Sequence, residues 1–133
     1  MLAGIKILIV EDNLVDQVLA THMLKKQNAI PTCAATGEEA LYLFDKNAYD
    51  VVLMDTQMPG INGYETTALI RKKTGDHIPV IAVTADVFVN NTEKWKEAGM
   101  NGCIIKPFDP DNLCRVISDI LVNSGNNISK ANA

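Results

Sequence analysis

Four short apolar runs, each ending on a residue able to do chemistry, constrain the fold of this chain more than any other feature. Residues 5–10 run into Glu11 and Asp12, 51–54 into Asp55, 78–83 into Thr84, and 103–105 into Lys106. Runs this continuous and this rich in β-branched residues read as strands buried on both faces, the habit of a parallel sheet. In open parallel sheets the ligand crevice lies outside the carboxyl ends of the strands. Three carboxylates, a hydroxyl and an ammonium, far apart in the chain, are therefore expected at one edge.

Helical patterns alternate with these runs. Residues 13–27 place Val15, Val18, Leu19, Met23 and Lys26 at a 3.6-residue period, with Asn13 as cap. Residues 30–34 make a short second strand. Thr36 and Glu39 have capping-box spacing and open a helix to about residue 46, with Ala40, Leu41, Leu43 and Phe44 inward. The loop 56–63 leads to a helix over 64–73. A weaker helix spans 89–98, where Trp95 is expected to pack on the sheet with Phe88. A fifth strand covers 102–105. The last helix, 110–122, aligns Leu113, Val116, Ile117, Ile120 and Leu121, with Pro110 in its first turn.

Five alternations of strand and helix predict a doubly wound α/β domain, and right-handed crossovers put helices on both faces of a five-stranded parallel sheet. The expected strand order is 2-1-3-4-5. Strands 1 and 3 then adjoin at the switch point, crowding Glu11, Asp12 and Asp55 together. The domain is expected over residues 1–122. Residues 123–133 turn to Asn, Ser, Gly and Lys and read as a polar tail or linker stub.

At 133 residues and 47% apolar, the chain suits one domain with a full core. No stretch approaches the length of a membrane span and no long leader-like apolar run opens the chain, so a cytoplasmic protein without membrane contact is expected. The net charge is −4 and the longest basic run is Arg71-Lys72-Lys73, which argues against direct nucleic-acid binding. Cys33, Cys103 and Cys114 lack metal-ligand spacing and read as small free thiols in the interior. His22 and His77 read as incidental. The Gly60-Ile61-Asn62-Gly63 and Gly99-Met100-Asn101-Gly102 segments read as turns, since neither fits a phosphate-loop pattern.

Three carboxylates at one site repel one another, so a proton or cation must neutralise part of their charge. All-oxygen ligation beside a phosphate suits Mg²⁺, with Mn²⁺ the alternative. Asp12 and Asp55 are the expected direct ligands, Glu11 acts directly or through water, and the Gln57 carbonyl completes the protein set. A carboxylate beside such an ion and a lysine can attack phosphorus to form an acyl phosphate. Asp55 suits that role because it ends the central strand. Lys106 would counter charge on the equatorial oxygens, and Thr84 would donate a hydrogen bond. Taken singly, each residue has a plainer reading: Asp12 or Asn13 as a helix cap, Asp55 in a turn, Thr84 as a cap, Lys106 as a solvated lysine. Their common placement at successive strand ends carries the weight.

The segments 9–13, 52–65, 83–86 and 106–108 resemble the receiver domain of two-component response regulators. Residues 10–17 and 97–101 look most like receivers attached to hybrid sensor histidine kinases. The resemblance implies a flavodoxin-like fold and a Mg²⁺-dependent transfer of a phosphoryl group to Asp55. The donor it implies is a phosphohistidine on a histidine kinase or histidine phosphotransfer domain, met by a monomer or weak dimer. Glu11 and Asp12 match the acidic metal pair, Thr84 the switch hydroxyl and Lys106 the phosphate-contacting lysine. Gln57 and Asp86 fall at positions that modulate hydrolysis. The family's aromatic on the fifth strand is replaced by Cys103, which cannot reproduce the swing of a large ring.

Two other classes stand beside this reading. A turnover phosphatase with an aspartyl nucleophile usually carries a second aspartate two residues on, where this chain has Gln57. A degenerate receiver serving only as a docking module would be expected to have lost part of the set Glu11, Asp12, Asp55, Thr84 and Lys106, and none is missing.

Overall fold

The computed structural model describes residues 2–58, 60–74, 78–85, 95–107 and 109–123. Five parallel strands form one sheet: β1 (Lys6–Val10), β2 (Ile30–Ala34), β3 (Val51–Asp55), β4 (Val80–Thr84) and β5 (Gly102–Ile105), in the order β2-β1-β3-β4-β5. The helices are α1 (Leu14–Lys26), α2 (Gly37–Lys46), α3 (Gly63–Thr74) and α4 (Pro110–Asn123). Helical residues 95–97 border an undescribed stretch. The expected order and the helices on both faces are present. The helix anticipated over 89–98 lies mostly outside the described residues, as do Phe88, His77, Asp86 and residues 124–133.

Alternation along the strands divides the interior into two cores, because successive strand side chains point to opposite faces. Ile7, Ile9, Leu53, Ile81, Val83 and Ile104 face α1 and α4, meeting Ala20, Leu24, Leu113, Ile117 and Leu121. Leu8, Val10, Val52, Met54, Val80 and Ala82 form the other core, where Ala40 and Ile70 are buried and Phe44, Tyr64 and Trp95 pack at its margin. Burial on both sides explains why the strands read as unbroken apolar runs. Caps fix the helix starts: Asn13 Oδ1 accepts from the Asp16 N–H, and Thr36 Oγ1 accepts from the Glu39 N–H while Glu39 reaches back to the Ala35 N–H. No helix among the described residues is long and apolar enough to cross a membrane.

Of the periodic stripe on α1, only Met23 packs against the core. Val15, Val18 and Leu19 are 68%, 65% and 43% exposed, and Lys26 is also exposed, whereas Ala20 and Leu24 are buried. The reason lies at the strand end. Gln17 Nε2 donates to the Glu11 carbonyl at 2.6 Å and Asp16 turns toward Lys106. Those contacts set the rotation of the helix, so the line 16/17, 20, 24 follows them inward. Ala20, with its small side chain, then allows α1 close to the sheet.

Candidate functional site

β1 and β3 pair up to Val10 and Met54, so Glu11 and Asp55 lie one step beyond the last pair. Asp55 in turn sits opposite Val83, and Thr84 opposite Ile105, the residue before Lys106. Parallel register therefore delivers the predicted residues to one edge from four strands. Close approach of α3 also matters. A Cβ on Gly63 would be driven into the Asp55 carbonyl oxygen, so only glycine lets α3 start against the tip of β3.

The edge holds an open cleft of about 490 Å³ lined by Glu11, Asp12, Asp16, Asp55, Gln57 and Lys106 among others. Lys106 Nζ lies 2.6 Å from Glu11 Oε1, 3.2 Å from Asp16 Oδ2 and 3.5 Å from Asp55 Oδ2. Glu11 and Asp55 are buried, whereas Asp12 is exposed. One carboxylate oxygen from each of Glu11, Asp12 and Asp55 falls within 4.8 Å of the others. Such a convergence of hard oxygen donors beside open space fits a divalent cation that keeps several waters. The Gln57 N–H donates to Asp55 Oδ1 at 3.1 Å, leaving Oδ2 toward Lys106.

Burial dominates the electrostatics of Glu11. It raises the carboxyl from 4.5 to about 7, helped by Asp55 and opposed by the Lys106 ammonium and the Asn13 N–H. Burial also works against the charge of Lys106, but its hydrogen bond to Glu11, the charges of Asp55 and Glu11 and its hydrogen bond to Asp16 more than offset this and push its pKa up.

Thr84 is buried at the end of β4, and its carbonyl accepts the Lys106 N–H at 2.8 Å; Ala85 rather than Thr84 lines the cleft. Gln57 lines the cleft and is exposed. Cys103 is half-buried at the margin of the second core, away from the carboxylates, and burial pushes its thiol pKa up. All three cysteines are free. Asp86 lies outside the described residues.

Two site residues escaped the sequence reading: Asp16, on Lys106, and Gln17, on the Glu11 carbonyl. The signal was present in the tight connection from β1 to α1, which brings first-turn side chains to the strand end.

Known proteins resemble this chain in sequence and in fold. The chain is 40% identical to hybrid signal transduction histidine kinase I of Dictyostelium discoideum, covering 85% of this chain and 7% of that protein. It is 36% identical to histidine kinase 3 of Arabidopsis thaliana, covering 89% of this chain and 14% of that one. The chain thus spans only a small part of these curated relatives. Among solved structures, the receiver domain of a Pseudomonas aeruginosa sensor histidine kinase, with a magnesium ion in its active-site cleft, superposes with a TM-score of 0.80. It is 36% identical, covering 88% of this chain and 97% of that one. A chemotaxis protein of Vibrio cholerae reaches 0.85 at 28% identity, over 90% and 100% of the two chains. The family model for the response regulator receiver domain matches residues 7–118, and with the strand order and acidic cleft already described it places this chain in the response regulator receiver domain family.

Proposed function

We propose that the domain accepts a phosphoryl group from phosphohistidine onto Asp55, as one step of a histidine-to-aspartate relay. The observation that carries this reading is the meeting of Glu11, Asp12, Asp55 and Lys106 at one open strand edge. An Asp55 carboxylate oxygen attacks phosphorus in line. The new O–P bond forms as the P–N bond to imidazole breaks, and the electron pair returns to the ring. Glu11, Asp12 and Asp55 would hold Mg²⁺, with Mn²⁺ as substitute and the Gln57 carbonyl as a further ligand. Bound there, the ion neutralises charge on the transferring oxygens.

The chain's own groups do the rest. The Gln57 N–H orients the acceptor through Oδ1, Lys106 supplies a donor to one phosphoryl oxygen, and Thr84 supplies its hydroxyl to another. Gln57 and Asp86, at the sequence positions where the family modulates hydrolysis, would tune the lifetime of the acyl phosphate. Gln57 cannot act as acid or base, which favours a relay over a turnover phosphatase.

The donor would be a histidine kinase or histidine phosphotransfer domain. Leu14, Val15, Val18 and Leu19 form an exposed apolar face on α1 beside the cleft, suited to a partner helix carrying the histidine. The similarity to hybrid kinases supports an origin for this domain in such a protein and a cytoplasmic setting. In this reading residues 1–122 form the receiver unit and 123–133 a tail or linker.

The test is labelling with acetyl phosphate, and with a phosphorylated histidine partner, with and without Mg²⁺. Labelling should need the ion and vanish in Asp55→Asn. Equal labelling of Asp55→Asn would overturn the assignment.

A further inference from the structure

The residues at the strand ends do not account for everything that touches the ammonium. Lys106 has three N–H donors and faces three carboxylates on three different elements. Glu11 at the end of β1 is 2.6 Å away, Asp16 in α1 3.2 Å, and Asp55 at the end of β3 3.5 Å. These carboxylates are not equivalent. Glu11 and Asp55 belong to the group of three whose oxygens converge within 4.8 Å, and Asp16 does not. When that group takes up a divalent cation, the charge of Glu11 and Asp55 is engaged, and the ammonium is repelled by the same ion. Among the carboxylates that Lys106 contacts, Asp16 then remains.

Asp16 is held well for this task. Its N–H donates to Asn13 Oδ1 at 3.0 Å, and the next residue, Gln17, is tied to the Glu11 carbonyl. The first turn of α1 is thus anchored both at its cap and at the tip of β1. The Asp16 side chain is 29% exposed against 4% for Glu11 and 7% for Asp55, so of the three it can most cheaply turn to water when Lys106 moves to a new partner.

We propose that Asp16 is a positioning residue: it keeps Lys106 over the acceptor while Glu11 and Asp55 are engaged by a divalent cation, so that the ammonium is in place when phosphoryl oxygens arrive. This rests on the phosphoacceptor reading above. Asp16 itself touches none of the reacting atoms. An acidic residue in a first helical turn also favours the helix dipole, but that role bears on stability and not on the lysine.

The experiment uses the full chain with isotope-labelled lysine, its Lys106 signal assigned by loss in Lys106→Arg, recorded with and without Mg²⁺. In the parent with Mg²⁺, the Lys106 signal should stand apart from those of the exposed lysines. In Asp16→Ala with Mg²⁺ it should merge with them, and in Asp16→Asn, which keeps an acceptor oxygen without the charge, it should lie between. With acetyl phosphate, Asp16→Ala should lower the maximal labelling rate by about tenfold. Its half-saturating donor concentration should not rise, since a negative charge near the donor has been removed, and Asp16→Asn should recover part of the rate. An unchanged Lys106 signal in Mg²⁺-loaded Asp16→Ala, or an undiminished maximal rate, overturns the proposal. The spectroscopic arm needs no phosphoryl transfer. A parent chain that fails to label therefore counts against the phosphoacceptor function, while the lysine signal still decides the role of Asp16.

Discussion

Lys106 follows β5 and Glu11 follows β1, strands separated in the sheet by β3 and β4, yet Nζ and Oε1 close to 2.6 Å. The contact crosses the mouth of the cleft, over the tip of the strand that ends in Asp55. It leaves the resting site a partly neutralised cluster, one ammonium among four carboxylates, rather than a bare acidic pocket.

Stability should depend on pH through Glu11. Its folded pKa, about 7, exceeds the ordinary 4.5, so the native state binds the extra proton between those values. That stabilisation is complete below the ordinary value and is lost as pH rises through about 7. Urea melts of metal-free protein should show this loss between about pH 5 and pH 8. Saturating Mg²⁺ should reverse the trend, because ligation needs the ionised carboxylate. A metal-free chain equally stable at both ends of that range would contradict the burial of Glu11 as a charged-state penalty.

Lys106→Met removes the counter-charge and leaves the carboxylates facing each other. The expected cost is about 3 kcal/mol at pH 8, the low end for breaking a buried pair, because Glu11 can respond by taking a proton. Near pH 5 the cost should be clearly smaller. Denaturant titrations at the two pH values check this, and equal losses would show that Lys106 does not balance Glu11.

Gly63→Ala should destabilise by about 2 kcal/mol or more, since its Cβ meets backbone that cannot step aside. The tip of β3 would shift with α3, so labelling of Asp55 by acetyl phosphate should slow in the same variant. A Tm and a labelling rate both equal to the parent's would show that the junction yields.

Val15→Ser combined with Val18→Ser should leave stability within about 0.5 kcal/mol, because both side chains are largely exposed. Transfer from a phosphorylated histidine partner should fall severalfold while acetyl phosphate labelling stays the same. Equal loss with both donors would place the defect in the site instead of the docking face.

The strands and their polar ends were legible because burial on both faces leaves an unmistakable run of branched apolar residues, as in 51–54 before Asp55. The last helix was legible too, since Leu113, Ile117 and Leu121 are buried as its pattern required. α1 was not. Its apolar residues outnumber its buried ones, and a periodic stripe shows that a helix has a face without telling which partner covers it. The rotation of α1 is set by polar contacts, Gln17 to a carbonyl and Asp16 to an ammonium 90 residues away, which no local pattern encodes. The cis bond between Lys106 and Pro107 was equally out of reach of residue patterns.

β3 is buried at all five of its residues and flanked on both sides by β1 and β4. A charged group attached to Asp55 would therefore sit on a fixed stop, at the end of a strand with no free edge and two filled cores against it. Backbone there has nowhere to go. Accommodation must come from the rim of the stop, where the exposed side chains of Asp12 and Gln57 line the cleft. Rigidity at the centre is what would turn one covalent bond into a change at the rim.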